Sequence, residues 1–473
     1  MKVLHISFEF YPLAKTGGLA DVVGALPKYL NPLNCNTAVI LPKYDNLNTN
    51  KLSTVAQFKD EVVLGDNEFN FTVEKVTGDA FDFPLFLVDM PELLYRDQMY
   101  GYDDDVARFL GFQLAVLKWI NSLDFYPEIL HCHDHHTGLI PFLVQYCYEF
   151  DDLKKLKTII TIHNAQYQGQ FGYEFETYIP DFNQQKIGLL DWDGQINPLA
   201  TAIKCANQVT TVSPNYMNEL QETAAGLEGL LKHERKKCLG ILNGIDATYW
   251  NPETDVLLKE NFNYRNFVSK RKIHKDWLCK TYGFLKGRPL FIFIGRLVYE
   301  KGADLLPQVI TTLLPDEDIS ILVLGSGDPK IAKQLEAAKK IAGSKCNVVI
   351  GYDEELSHIM YAGGDFILMP SRVEPCGLNQ MYALRYGTIP IVRRTGGLQD
   401  TVIDIGDDGY GICHVQASVN DICNAIKRAI ELYKESSNYR KVQRKAMKID
   451  NSWNNSALKY KKLYQSLTSQ IYD

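Results

Sequence analysis

Short apolar runs rich in β-branched residues recur along this chain between helix-like stretches, and that alternation limits the available folds more than any other feature. The runs are Val3–Phe8, Thr37–Leu41, Leu85–Asp89, Glu128–Cys132, Thr158–His163, Gln208–Ser213 and Cys238–Leu242, then Leu290–Gly295, Ile319–Gly325, Asn347–Gly351, Asp365–Pro370 and Thr388–Val392. Most are continuously apolar rather than alternating, the pattern of strands buried on both faces in parallel sheets covered by helices. The repeated alternation predicts an α/β chain with doubly wound parallel sheets. The series breaks between about residues 243 and 289, a polar, turn-rich segment that starts at Asn243-Gly244-Ile245-Asp246 and ends at Lys286-Gly287-Arg288-Pro289. Length alone, 473 residues, suggests roughly three domains. The break instead predicts two, over residues 1–242 and 243–453, followed by a helical segment over 454–473. Trp453, Ala457, Tyr460, Tyr464 and Leu467 repeat there with helical spacing, and the helix can pack on either domain.

Composition narrows the function classes. Hydrophobic residues are 46% and charged residues 23%, which suits a large globular core. The net charge of −7 leaves no electrostatic footprint for nucleic acid or an anionic membrane. That total hides an asymmetry: residues 1–240 carry 19 basic and 31 acidic side chains, and residues 241–473 carry 31 and 26. The second part is the better home for a polyanionic small molecule. No run reaches the ~18 apolar residues of a membrane span. Met1–Phe8 reads as a first strand rather than a signal peptide. The 10 cysteines are scattered without a Cys-x-x-Cys pair, the usage of a reducing cytoplasm.

The motifs that carry chemistry follow strands. Lys15-Thr16-Gly17-Gly18-Leu19-Ala20-Asp21 opens a helix whose apolar face is Leu19, Val22, Val23 and Leu26. Glycines at a helix N-terminus let backbone N–H groups approach an anion, and Lys15 adds a full charge. The pattern is neither a dinucleotide fingerprint nor a P-loop, and a plain strand-to-helix turn explains it about equally well. A near copy, Arg394-Thr395-Gly396-Gly397-Leu398-Gln399-Asp400, follows a later strand. Two such turns fit one ligand at the carboxyl ends of two sheets, or are unrelated. Arg296 and Lys301 end one strand and Glu374 ends another; the cations can clamp a diphosphate or form ordinary surface pairs. His131-Cys132-His133-Asp134-His135-His136 has metal-ligand residue types but poor spacing, so no metal site is expected. His163-Asn164 at the next strand end can hydrogen-bond a sugar, although a lone histidine there is more often structural.

Together these segments resemble the bacterial glycogen synthases and plant starch synthases that use ADP-glucose, along essentially the whole chain. The carriers are Lys15–Asp21, His131–Asp134, His163-Asn164 with Tyr167-Gln168-Gly169, Asn243–Asp246, Gly295–Leu297 with Lys301-Gly302, Glu374–Leu378 and Thr395–Leu398, in the family's order and spacing. The resemblance implies a GT-B fold: two Rossmann-like domains, an acceptor-side N-terminal one and a nucleotide-sugar-binding C-terminal one, with a cleft between them and the last helix returning to the first. It implies retaining transfer of glucose from ADP-glucose to the non-reducing 4-hydroxyl of an α-1,4-glucan such as glycogen, without metal or cofactor. Residue by residue, it implies that Arg296 and Lys301 neutralise the leaving diphosphate and that Glu374 holds glucosyl hydroxyls. His163 lies by the sugar's 6-hydroxyl region with Asp134 and Asn164 beside it. Gly18 offers its N–H to phosphate, Asn243 lines the sugar pocket, and Tyr352 packs near the adenine. Lys15, Asp21 and the segment Cys376-Gly377-Leu378-Asn379 match positions near the donor.

Three positions depart from the family pattern: His135 replaces a common tryptophan, Asn379 a frequent threonine or serine, and Tyr382 the second glutamate of many related retaining transferases. None touches Lys15, Arg296, Lys301 or Glu374, so an active enzyme is expected. A UDP-glucose-dependent glucan synthase, an α-glucan phosphorylase-like enzyme and a glucan-binding module without activity are the competing readings.

Overall fold

In a computed structural model, residues 1–46, 48–78 and 80–469 are described. The chain divides into two units, one formed by Met1–Asn243 with the segment that begins at Trp453, the other by Gly244–Ser452.

Among the described residues, the first unit is built on a nine-stranded sheet. Its strands are β1 (Lys2–Ile6), β2 (Asn36–Pro42), β3 (Thr54–Leu64), β4 (Asn67–Val76), β5 (Leu85–Asp89), β6 (Ile129–His133), β7 (Lys157–Ile162), β10 (Gln208–Thr211) and β11 (Cys238–Gly240). A separate two-stranded ribbon pairs β8 (Asp191–Trp192) with β9 (Gln195–Ile196). The sheet order is β11-β10-β7-β6-β1-β2-β5-β4-β3. Seven strands run parallel; β4 and β3 extend the sheet as an antiparallel hairpin on β5. Sequence patterning does not predict that hairpin, because most of the β3 side chains are exposed and charged residues interrupt its apolar positions. Its two-residue turn, Gly65-Asp66, places Gly65 at φ 60°, a positive value that glycine adopts without strain.

The first helix, Gly18–Leu30, buries Leu19, Val22, Val23, Leu26 and Leu30. The terminal helix, Trp453–Thr468, packs Trp453, Ala457, Tyr460 and Tyr464 into one apolar cluster with Val3, Val22, Leu26 and Leu30. The expected extension over 470–473 lies outside the described residues. Tyr464 also carries a polar duty: its hydroxyl lies 2.8 Å from Nδ1 of buried His131 on β6.

The second unit holds a six-stranded, wholly parallel sheet in the order β14-β13-β12-β15-β16-β17. Its strands are β12 (Leu290–Leu297), β13 (Ser320–Gly327), β14 (Cys346–Ile350), β15 (Phe366–Met369), β16 (Ile389–Arg393) and β17 (Ile412–His414). The inner strands are buried on both faces. Phe291, Phe293, Ile321 and Val323 enter one apolar cluster, while Leu290, Ile292, Leu322 and Leu324 enter another on the opposite side. This explains the continuous apolar runs. The polar stretch at 243–289 conceals one helix, Phe267–Tyr282, whose mainly charged surface masks its buried Phe267, His274 and Leu278. The architecture is the two-part α/β fold expected from the strand series. No helix among the described residues is long and apolar enough to cross a membrane.

The Tyr464–His131 bond gives a stability test. Tyr464→Phe leaves a buried ring nitrogen unpaired and should cost about 1–2 kcal/mol, read as a lower melting temperature. Leu458→Ala, at a 45% exposed position of the same helix, should change stability by less than about 0.5 kcal/mol.

Candidate functional site

Parallel strands buried on both faces display polar side chains mainly at their carboxyl ends, and the candidate residues collect there. In the first unit, β1 runs out into Ser7-Phe8-Glu9. The Glu9 carboxylate, 5% exposed, accepts the backbone N–H groups of Thr16 at 2.8 Å and Gly17 at 2.9 Å on one oxygen. Its other oxygen accepts the Tyr100 hydroxyl at 3.0 Å. A buried acid therefore ties down the loop before the first helix and already occupies two of the amides that a glycine-rich turn offers an anion. A side chain at Gly17 or Gly18 would meet nothing within 4 Å, so the surface beside these glycines is open. Lys15 pairs with Asp21 at 2.7 Å and lies over the Tyr11 ring. Burial pushes the Asp21 carboxyl up, and Lys15 partly offsets this.

At the ends of β6 and β7, three candidate residues converge. Asp134 sits at φ 55°, a backbone region that non-glycine residues seldom adopt. Its Oδ1 accepts the backbone N–H of His163 at 2.7 Å and of Asn164 at 3.4 Å. Burial nevertheless pushes its carboxyl up to about 7, against those two hydrogen bonds. His163 is held down at about 3 by burial, so its ring is neutral at neutral pH. Its Nε2 lies 3.0 Å from Nδ1 of His133, and Nε2 of His133 lies 3.1 Å from Nδ1 of His5. His135 packs against Gly169 (φ 70°), where an added Cβ would come within 2.4 Å of the imidazole. Asn243, at the end of this unit, is 5% exposed, and its side-chain oxygen has no hydrogen-bond partner. One ring nitrogen from each of His5, His131 and His133 lies within 4.8 Å of the others. A metal there would displace existing bonds, because His131 is engaged by Tyr464 and, at 2.6 Å, by Thr161.

In the second unit, β12 ends in Gly295-Arg296-Leu297, and a single turn, Tyr299–Lys301, follows. Lys301 Nζ lies 2.5 Å from Oε1 of Glu374, which is 5% exposed, and Ser371 donates to Oε2 at 2.9 Å. Lys301 and Glu374 are thus brought into direct contact across two strand ends. Arg296 is more than half exposed and approaches Glu300 at 3.6 Å. The loop carrying Glu374 is fixed from several directions. Arg372 binds both oxygens of Asp304 and stacks over Tyr299, and the N–H groups of Arg372 and Val373 bond the Glu300 carbonyl. Gln380 Nε2 donates to the carbonyls of Cys376 and Gly377 and to Thr401. Gly377 adopts φ 72°.

The second glycine pair works differently from the first. An added Cβ at Gly396 would meet the Glu374 carbonyl oxygen at 2.0 Å, and one at Gly397 the Cys376 carbonyl oxygen at 2.1 Å. Gly397 N–H also donates to the Glu374 carbonyl at 3.1 Å. This turn is packed against the Glu374 loop rather than left open. Asn379 donates its side-chain amide to the Ile294 carbonyl at 2.7 Å, anchoring the start of its helix to β12. Tyr382 stacks on Trp250 with ring centroids 3.8 Å apart. Tyr352 stands 84% exposed. Sequence reasoning missed Glu9 and Gln380. An acid inside the apolar Phe8-Glu9-Phe10 run was the available signal for the first; nothing local marks the second.

The starch synthase catalytic domain family matches residues 2–233, and the glycosyl transferases group 1 family matches residues 279–446. A glycogen synthase of Flavobacterium johnsoniae is 50% identical over 472 residues, covering 99% of this chain and 100% of that one. The catalytic domain of starch synthase IV from Arabidopsis thaliana, solved with ADP and acarbose bound, is similar at a TM-score of 0.88 and 34% identity, with 99% of each chain covered. A sucrose-phosphate synthase of Thermosynechococcus elongatus shares the fold at a TM-score of 0.64 and 17% identity, with 99% of each chain covered.

Two outcomes test this geometry. Gly397→Ala forces the Glu374–Cys376 loop to shift and should lower stability by about 1–3 kcal/mol in thermal unfolding, while Gly17→Ala, with open space around it, should leave the melting temperature nearly unchanged. Asp134 gives a pH signature. Its carboxyl is protonated below about pH 4 in both folded and unfolded chains, whereas between about 4 and 7 only the folded chain retains the proton. Its contribution to stability therefore falls as pH rises through that window. Asp134→Asn removes the titration, so its melting temperature relative to the parent should rise steadily from pH 4 to pH 7.

Proposed function

The chain belongs to the starch and glycogen synthase family and is a glycosyltransferase, and from that premise we propose that it transfers glucose from ADP-glucose to the non-reducing 4-hydroxyl of an α-1,4-glucan, with retention and release of ADP. A nucleotide-sugar donor and a glucan acceptor follow from the family; ADP-glucose is the finer reading. It is supported by the ADP held by the similar plant enzyme and by the names of the relatives. The ten cysteines, all free thiols, fit work in a reducing cytoplasm.

The observation that carries the mechanism is the Lys301–Glu374 pair, 2.5 Å apart at two neighbouring strand ends, in which Glu374 is buried. The departing ADP gains negative charge in the transition state, and a fixed cation beside it lowers the barrier. Lys301 supplies that cation, and Arg296 a second. At about 4 Å and an effective dielectric near 20, one cation is worth ~4 kcal/mol against one negative charge. That is an upper bound of roughly a thousandfold in rate, since part of the attraction also binds the ground state. Glu374 accepts hydroxyls of the glucosyl ring and positions it while its anomeric carbon becomes oxocarbenium-like. His163, with Asp134 fixing its backbone and that of Asn164, meets the region of the sugar's 6-hydroxyl. The unpartnered oxygen of Asn243 is an acceptor for another sugar hydroxyl. Gly18, beside open space, offers its N–H to phosphate, with Lys15 and Asp21 next to it. Cys376, Gly377, Leu378 and Asn379 shape the donor side of the Glu374 loop, and the exposed Tyr352 packs on the adenine.

Incubation with glycogen and labelled ADP-glucose or UDP-glucose tests the donor: transfer from ADP-glucose with ADP release is expected, and clear preference for UDP-glucose overturns the reading. Lys301→Ala should lower kcat by about 10²- to 10³-fold. Unchanged transfer in both Lys301→Ala and Glu374→Ala would show that these residues are not the reaction site.

A further inference from the structure

Three imidazoles lie in line across three adjacent strands of the first unit. His5 is on β1, His133 on neighbouring β6, and His163 directly follows β7. His5 Nδ1 is 3.1 Å from His133 Nε2, and His133 Nδ1 is 3.0 Å from His163 Nε2. His5 and His133 are fully buried, and His163 is 9% exposed. Burial pushes all three well below the usual histidine range, so each ring is neutral at neutral pH.

A neutral imidazole has one N–H and one lone pair. Two hydrogen bonds through three such rings leave only two proton arrangements. If the protons point inward, every ring carries its proton on Nε2, and the chain ends at His5 in a buried N–H. His5 Nε2 has no hydrogen-bond partner, so that N–H would be orphaned. If the protons point outward, His5 donates from Nδ1 to His133, and His133 donates from Nδ1 to His163. The inner end is then a bare lone pair, and His163 Nε2 is occupied as an acceptor. Orphaned buried N–H groups are the rarer defect, which favours the outward arrangement.

We propose that His5 and His133 are positioning residues that fix His163 in the tautomer carrying its proton on Nδ1, making it a one-way hydrogen-bond donor to a sugar hydroxyl oxygen. The inference rests on the reading of His163 as a sugar-contacting residue. A hydroxyl that accepts from His163 keeps its own proton for a second partner, so a fixed tautomer fixes the hydroxyl's orientation as well. An imidazole free to exchange tautomers presents a lone pair part of the time and loses that selectivity. The alternative use of this cluster, holding a metal ion, requires nitrogens already spent within the row and on Thr161 and Tyr464.

The test separates the row from the site. His5→Phe removes the inner donor while keeping a ring in its place. It should lower kcat for glucosyl transfer by about 10- to 100-fold while KM for ADP-glucose changes less than about 3-fold. His5→Asn puts an amide nitrogen near the lost Nδ1 and should recover kcat to within about 3-fold of the parent. In ¹⁵N spectra of histidine-labelled parent enzyme, His163 should be protonated on Nδ1, and His5→Phe should give a mixture of tautomers. A parent His163 protonated on Nε2, an unchanged kcat in His5→Phe, or a stoichiometric metal in the purified protein overturns the proposal. If His163→Ala itself leaves transfer unchanged, the site reading fails and the row loses its purpose. If His163→Ala is inactive while His5→Phe is silent, only the row is refuted. Should His5→Phe fail to fold, the parent spectrum decides.

Discussion

Strands covered on both faces leave a polypeptide few places to keep polar chemistry. In the second unit alternate side chains of β12 and β13 enter apolar layers on opposite sides, so a charged group along either strand would be buried without water. Charged side chains are pushed to the strand ends, where the backbone turns and its own N–H and C=O groups become available. Asp134, His163, Glu9, Arg296, Lys301 and Glu374 all stand at or just beyond such ends. The arrangement follows from solvation before it follows from any ligand, and the same constraint makes the strand series conspicuous along the chain.

That origin decides what was legible in the sequence. The α/β class and most strands could be read directly, because burial on two faces produces uninterrupted apolar runs. The β3–β4 hairpin could not, because its strands face solvent along much of their length and carry charges there. The helix Phe267–Tyr282 was hidden for a related reason: few of its positions are buried, and the rest are polar. At the candidate site, Lys301 and Glu374 were visible as strand-end residues, but their direct contact joins positions 73 residues apart. The His5–His133 bond spans 128 residues, and no local pattern announces it. Glu9 and Gln380 act by holding backbone groups of the loops beside them, a role defined by geometry rather than by residue type.

The two glycine pairs show how similar sequences diverge in use. Both follow strands and both open helices. Around Gly17 and Gly18 there is empty space, and the tight partner is the distant Glu9 carboxylate. Around Gly396 and Gly397 there is none, because the backbone of Glu374 to Cys376 lies against them. One pair leaves a surface accessible; the other lets two segments of backbone touch. Only the missing Cβ is common to both, and the neighbours determine what its absence permits.

The terminal helix gives the first unit a delayed completion. Its Trp453, Tyr460 and Tyr464 complete an apolar cluster that includes Val3, Val22, Leu26 and Leu30 from the first thirty residues. A ribosome releases those early residues long before residue 453 exists. During synthesis, the second unit is therefore made in full while one apolar face of the first still lacks its cover. Vectorial synthesis thus assigns the chain's beginning the longest wait for its last partner, and a nascent chain stalled short of Trp453 exposes that face to whatever holds unfolded protein in the cell.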